Sequence, residues 1–168
     1  MIRFLVLTVL AAASAPAQNP VSADAKALWA GIKNNTLRAA EKVPEEHYSF
    51  QPTPDVRTFG QLVAHVADGN YLFCSAAAGE TKQMNVEKSV AGKANLLAAL
   101  KESIAYCDAV YDSLTDAKGA ESIKLFGRDR TRAATLFMNV SHDNEHYGNM
   151  VTYMRIKGIV PPSSEPRR

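Results

Sequence analysis

After its first seventeen residues the chain has no apolar run long enough to cross a bilayer as a helix, so no retained transmembrane helix is expected there. It also lacks any block of one charge sign. Its 19 Lys and Arg are scattered among 17 Asp and Glu for a net charge of +2, which argues against nucleic acid or an acidic membrane as partner. There is no Cys–His dyad, no Gly-x-Ser-x-Gly elbow and no glycine-rich phosphate cradle, so serine nucleophiles and nucleotide binding have no support. Internal repeats, low-complexity tracts and sustained strand alternation are missing as well. The two cysteines, Cys74 and Cys107, fit an oxidising compartment only loosely, and the sequence leaves open whether they are bridged or buried as small apolar groups.

What is present suits one globular domain. The chain has 168 residues, 46% hydrophobic and 21% charged, ordinary values for a soluble fold. Arg3, the apolar run Phe4 to Ala13 and the small-x-small step Ala15-Pro16-Ala17 form a secretory signal-peptide pattern. Residues 1–17 are therefore expected to be removed, leaving residues 18–168 as a single exported domain, periplasmic or secreted, with no stable membrane anchor.

Four helices are expected from apolar spacing and punctuation. The first runs from Ser22 to Val43 with Ala25, Leu28, Ile32, Ala39 and Val43 inward, and a loop with Pro52 and Pro54 follows. The second starts at Thr58, where Gln61 three residues on makes a capping box, and ends near Gly79. Leu62, Val66 and Phe73 form its buried stripe. The third spans Lys93 to Leu114 through Leu96, Leu97, Leu100, Ile104 and Tyr111. The fourth spans Thr131 to Lys157 and stops at Gly158, before Pro161-Pro162. Ser122 to Phe126 reads as a short extended piece. The class is all-α, and a four-helix bundle is the simplest way to bury four such stripes. The Gly79–Gly92 link can reach about 46 Å, enough to cross the bundle and leave helices two and three parallel. Cys74 and Cys107 would then lie at similar heights.

The chemistry lies with the histidines. His142 and His146 are four apart, about 40° around one helix face, close enough to share an ion. Such a pair alone is more often solvated or locally satisfied. Two features weigh against that. Thr135, Asn139, His142, His146, Asn149 and Tyr153 form a polar stripe without charge beside the apolar stripe Leu136, Val140, Met150 and Met154, which reads as a cleft wall. His65 stands about 60° from Leu62, at the edge of the second helix's buried stripe, where it could face helix four and complete a three-nitrogen site. Three imidazoles suit zinc or nickel best, with iron or manganese as other candidates, and leave a coordination position open. An ion so held would acidify water and polarise a substrate oxygen. Asp68 and Glu145 are the candidates to accept the other ring N–H groups or to act as general base. His47, in the proline-containing loop, takes a surface or packing role.

Four segments together resemble the DinB/YfiT-like superfamily over Ala23 to Pro166. They are Tyr48-Ser-Phe-Gln-Pro-Thr-Pro-Asp-Val-Arg57, Gln61-Leu-Val-Ala-His65-Val-Ala-Asp68, Ser141-His142-Asp-Asn-Glu-His146-Tyr-Gly148 and Lys157-Gly-Ile-Val-Pro-Pro-Ser. The resemblance implies an up-down-down-up four-helix bundle and a metal triad on His65, His142 and His146. It implies an activity among thiol-dependent transferases and isomerases and metal-dependent hydrolases. An exported chain does not meet cytosolic thiols, which favours hydrolysis of a small polar substrate over thiol transfer. A non-catalytic metal- or ligand-binding module is the rival from another class, and whether the chain acts alone or as a homodimer stays open.

Overall fold

In the computed structural model, residues 19–82 and 85–166 are described, and the expected signal peptide lies outside them. Four long helices carry the fold: α1 (Pro20–Lys42), α2 (Phe59–Ala78), α4 (Lys93–Asp112) and α6 (Arg132–Ile156). Three shorter pieces join them, namely α3 (Val86–Ser89), α5 (Asp116–Gly119) and a hairpin of β1 (Ser122–Leu125) with β2 (Arg128–Thr131).

The helix ends follow from local chemistry. Thr58 Oγ1 accepts from the Gln61 backbone N–H at 3.2 Å, and Gln61 Oε1 accepts from the Thr58 N–H at 2.8 Å, so the capping box closes both ways. Thr131 caps α6 by accepting from the Ala134 N–H at 3.1 Å. At the far end Gly158 takes φ 69°, and the Ile159 N–H returns to the Met154 carbonyl at 2.9 Å.

Fourteen of the twenty residues of α2 are buried, which makes it the central helix. It packs against α4 on one side and α6 on the other, while α1 closes the opposite corner against the same two helices. Successive helices α1 and α2 thus sit on a diagonal, and the link between them passes across the bundle end. Contacts fix the directions. Lys26 pairs with Asp112 and Glu41 with Lys101, so α1 and α4 run antiparallel. Asn70 meets Ser103 and Cys74 is bonded to Cys107, so α2 and α4 run parallel. His142 lies against Gly69 and Arg132 against Ala77, so α6 runs back along α2. The order is up-down-down-up, and the two cysteines form a disulfide between parallel helices at equal height.

Two details depart from the sequence expectation. Leu28 is 52% exposed, and Trp29 takes its place in the core at 1%. The indole stacks on Tyr111, with ring centroids 5.0 Å apart, and its Nε1–H donates to Asp108 at 2.7 Å, a partner that aliphatic spacing does not reveal. The extended piece gains a mate in β2, Ser122 facing Thr131 and Leu125 facing Arg128 around a Phe126-Gly127 turn with both φ positive. Among the described residues no helix is long and apolar enough to cross a membrane.

Candidate metal centre

The antiparallel α2–α6 seam brings His65 to His142 and His146. Ring centroids are 5.1 Å apart for His65 and His142, 4.6 Å for His65 and His146, and 4.4 Å for His142 and His146. One ring nitrogen from each lies within 4.8 Å of the other two, an arrangement that could hold a metal ion. One turn of α6 separates His142 from His146, as the four-residue spacing requires. The close approach of the helices depends on a missing side chain. A Cβ on Gly69 would stand 2.4 Å from His142 Cε1, so the imidazole occupies space that any other residue would fill.

Two carboxylates orient the rings from behind. Glu87 on α3 accepts from His65 Nδ1 at 3.1 Å, and Asp143 accepts from His142 Nδ1 at 3.3 Å. With both carboxyls ionised, each Nδ1 carries the proton, and each Nε2 is left with a lone pair. These two Nε2 atoms face each other at 3.2 Å. Two lone pairs at that distance repel unless a cation sits between them. Two nitrogens on one tetrahedral zinc, with bonds of about 2.0–2.1 Å, would stand about 3.3 Å apart. The donor set therefore fits a divalent ion. His146 Nδ1 is buried without a hydrogen-bond partner, which leaves its ring equally uncommitted to the protein.

Electrostatics favour the neutral, ligating form. Burial first, then His142, His65 and Arg57, push His146 down to about 4. Burial, Arg57 and His142 also lower His65, with Glu87 opposing them. Burial would raise Glu87, but the Arg57 hydrogen bond and charge, followed by His65, outweigh it and bring the carboxyl below its ordinary value. Asp143, almost wholly buried, is raised to about 6 by desolvation, against the pull of His142.

The other residues singled out from sequence fall in varied places. Asp68 touches no imidazole. Its two oxygens accept from the Val86 and Glu87 backbone N–H groups at 2.9 and 3.0 Å, capping α3 and so holding Glu87 against His65. Glu145 is exposed, with Asn149, on the outer wall of a groove. Tyr153 is buried there and donates to the Arg57 carbonyl at 2.9 Å. Thr135 and Asn139 line no cleft: both are fully buried, because the upper half of the uncharged stripe turns into the core towards Tyr111. Sequence reasoning missed Glu87, Asp143, Gly69 and Arg57. Asp143 directly follows His142, and adjacency alone would have flagged it; Glu87 had no local signal.

The groove, about 880 Å³, is open to solvent and runs between the Gln51–Arg57 loop and the His146 side of α6. On its opposite side the cluster is walled by Phe73, whose ring lies 5.5 Å from that of His142.

A profile of the DinB superfamily matches residues 29–150. The uncharacterized protein YjoA of Bacillus subtilis (strain 168) is 30% identical over 135 residues, covering 75% of this chain and 84% of its own. The crystal structure of that DinB-like protein superposes with a TM-score of 0.70 at 24% identity, over 86% of this chain and 99% of the other. YfiT from Bacillus subtilis, a probable metal-dependent hydrolase with an unusual four-helix bundle topology, gives 0.65 at 16% identity over 88% and 93%. A mycothiol-dependent maleylpyruvate isomerase gives 0.65 at 17% identity over 77% of this chain and 60% of its own.

Proposed function

Because the chain belongs to the DinB superfamily, we propose that it is an exported metal-dependent hydrolase of a small polar substrate, with His65, His142 and His146 as ligands of one divalent ion, zinc or nickel. The observation that carries this reading is the pair of Nε2 atoms 3.2 Å apart, each on a ring whose Nδ1 is committed to a carboxylate. With each Nδ1 committed to a carboxylate, both Nε2 lone pairs converge on one place, an arrangement that a shared divalent ion would satisfy.

Such an ion would supply Lewis acidity to a substrate oxygen and acidify water at neutral pH. The chain's own residues do the rest. Glu87 and Asp143 hold two imidazoles in the ligating tautomer. Phe73 shields one side of the site from water, and the groove admits a substrate from the other. Glu145, exposed on the groove wall one residue before His146, is the candidate to move a proton to or from solvent. Export is supported by the Ala15-Pro16-Ala17 pattern and by the Cys74–Cys107 disulfide, a bond that persists in oxidising compartments.

The mycothiol dependence of one structural neighbour favours a second reading, transfer to a thiol co-substrate at the same three imidazoles. Purified protein should hold close to one zinc or nickel per chain, and His65→Ala and His142→Ala should each lose most of it. Equal, negligible metal in wild type and variants would overturn the ligand assignment. With metal bound, ester and amide substrates tested with and without low-molecular-weight thiols separate hydrolysis from transfer, and silence in both favours a binding module. Intact precursor accumulating in the cytosol would overturn the proposed export.

A further inference from the structure

Resting on the metal-site reading above, we propose that Arg57 is the specificity determinant of the groove and that the substrate carries a carboxylate. Arg57 closes the proline-containing loop and is fixed at three points. Its carbonyl accepts from Tyr153, the next residue caps α2, and its Nε–H donates to Glu87 Oε1 at 2.8 Å. That leaves both terminal nitrogens of the guanidinium without a partner among the described residues, on a side chain 41% exposed in the groove. A planar fork held still, with one edge satisfied and the other open, matches a carboxylate.

The charge pattern points the same way. Among the described residues Arg57 is the only cation lining the groove, and its one ion-pair partner, Glu87, is shared with His65. Glu87 and Asp143 behind the imidazoles would offset a divalent ion's charge, and the Arg57 guanidinium then leaves a positive excess that an anionic ligand would meet. Asp55 and Glu145 also line the groove and would suit a cationic substrate, but both are exposed. Among the described residues neither bonds to the cluster, whereas Arg57 reaches it through Glu87, which holds His65 Nδ1. The two acids belong to the outer rim and Arg57 to the mouth of the histidine cluster.

The test is an NMR titration of zinc-loaded and metal-free protein with succinate and with its neutral counterpart succinamide. The Arg57 side-chain N–H resonances serve as the local readout. Wild type should bind succinate at least about tenfold more tightly than succinamide, with shifts at Arg57. Arg57→Gln should bring the two ligands within about threefold, and Arg57→Lys, which keeps the charge opposite Glu87 but loses the fork, should retain only part of the preference. A preference that survives both substitutions, or no preference in wild type, would overturn the proposal. Failure of wild type to take up zinc would sink the metal reading by itself. The metal-free titrations would then decide Arg57 alone, by the same criterion.

Discussion

Helix α2 has two seams, and they differ in kind. Against α4 it is stapled by the Cys74–Cys107 disulfide, whose Cα atoms lie 5.4 Å apart, and by Asn70 Nδ2 donating to Ser103 Oγ at 3.2 Å. Against α6 it carries three imidazoles, a buried acid and a glycine gap, beside an open groove. Six buried side-chain atoms among the described residues lack a hydrogen-bond partner, and three of them, Asn139 Oδ1, Asp143 Oδ2 and His146 Nδ1, sit on two turns of α6. Of these, Asp143 Oδ2 and His146 Nδ1 belong to the histidine cluster, whereas Asn139 Oδ1 lies in the core and Asn70 Oδ1 on the stapled seam is unpartnered too. One seam of the same helix stabilises the fold, and the other is left incomplete.

The sharpest way to break that division is to cut the staple. The disulfide spans 33 residues, so Cys74→Ser with Cys107→Ser should cost about 3–4 kcal/mol and lower Tm by about 10 °C. Zinc affinity at 25 °C, measured by calorimetry, should change less than threefold. A large loss of metal binding in the variant would mean that the seams are coupled and the division is false.

The converse substitutions fall on the other seam. Gly69→Ala should push the His142 ring away and weaken zinc binding by about a hundredfold. Denaturant midpoints should hardly move, because alanine's gain of about 0.5–1 kcal/mol in a helix offsets the strain. Unaltered zinc affinity would show that the ring does not need its place over residue 69. Glu87→Gln keeps an acceptor for His65 but removes its charge, so about a tenfold loss of zinc affinity is expected, with an altered cobalt spectrum after substitution. An unchanged spectrum would remove Glu87 from any role in orienting His65.

The stapled seam was more legible in the sequence than the open one. Apolar spacing, the Thr58 capping box and the glycine and proline stops located the four long helices, because those signals are local. The same spacing rule put Leu28 inward, since it cannot see that Trp29 has a stacking partner in Tyr111, eighty-two residues away in the chain. The three histidines were picked out by helix face and by resemblance, and their rings do lie together. Their carboxylate partners were not found. Glu87 sits on a four-residue helix too short for periodicity, whose cap, Asp68, comes from another element. Asp143, next to His142, was passed over for residues three positions on, although an imidazole can turn its Nδ1 to the neighbouring side chain. The pattern of Thr135 and Asn139 was right as a stripe and wrong as a cleft, because polarity alone does not tell a buried hydrogen-bonded face from a hydrated one.

The smallest effect expected is also the most specific to the open seam. In metal-free protein His146 titrates near 4 when folded and near 6.5 when unfolded, so between those values the unfolded chain binds the extra proton and stability falls as pH falls. Asp143 does the reverse. Its folded value of about 6 lies above an unfolded 3.8, so the native state takes up the proton first and gains stability over almost the same window. The two slopes oppose each other, so wild type in EDTA should lose less stability from pH 6 to pH 4.5 than its lowered His65 and His146 would impose alone. Asp143→Asn removes the compensating group, and stability should then fall on acidification by up to about 1 kcal/mol per pH unit. His146→Gln should tilt the profile the other way. If all three profiles are parallel, the buried acid and the imidazole are not the groups that set the proton balance of this seam.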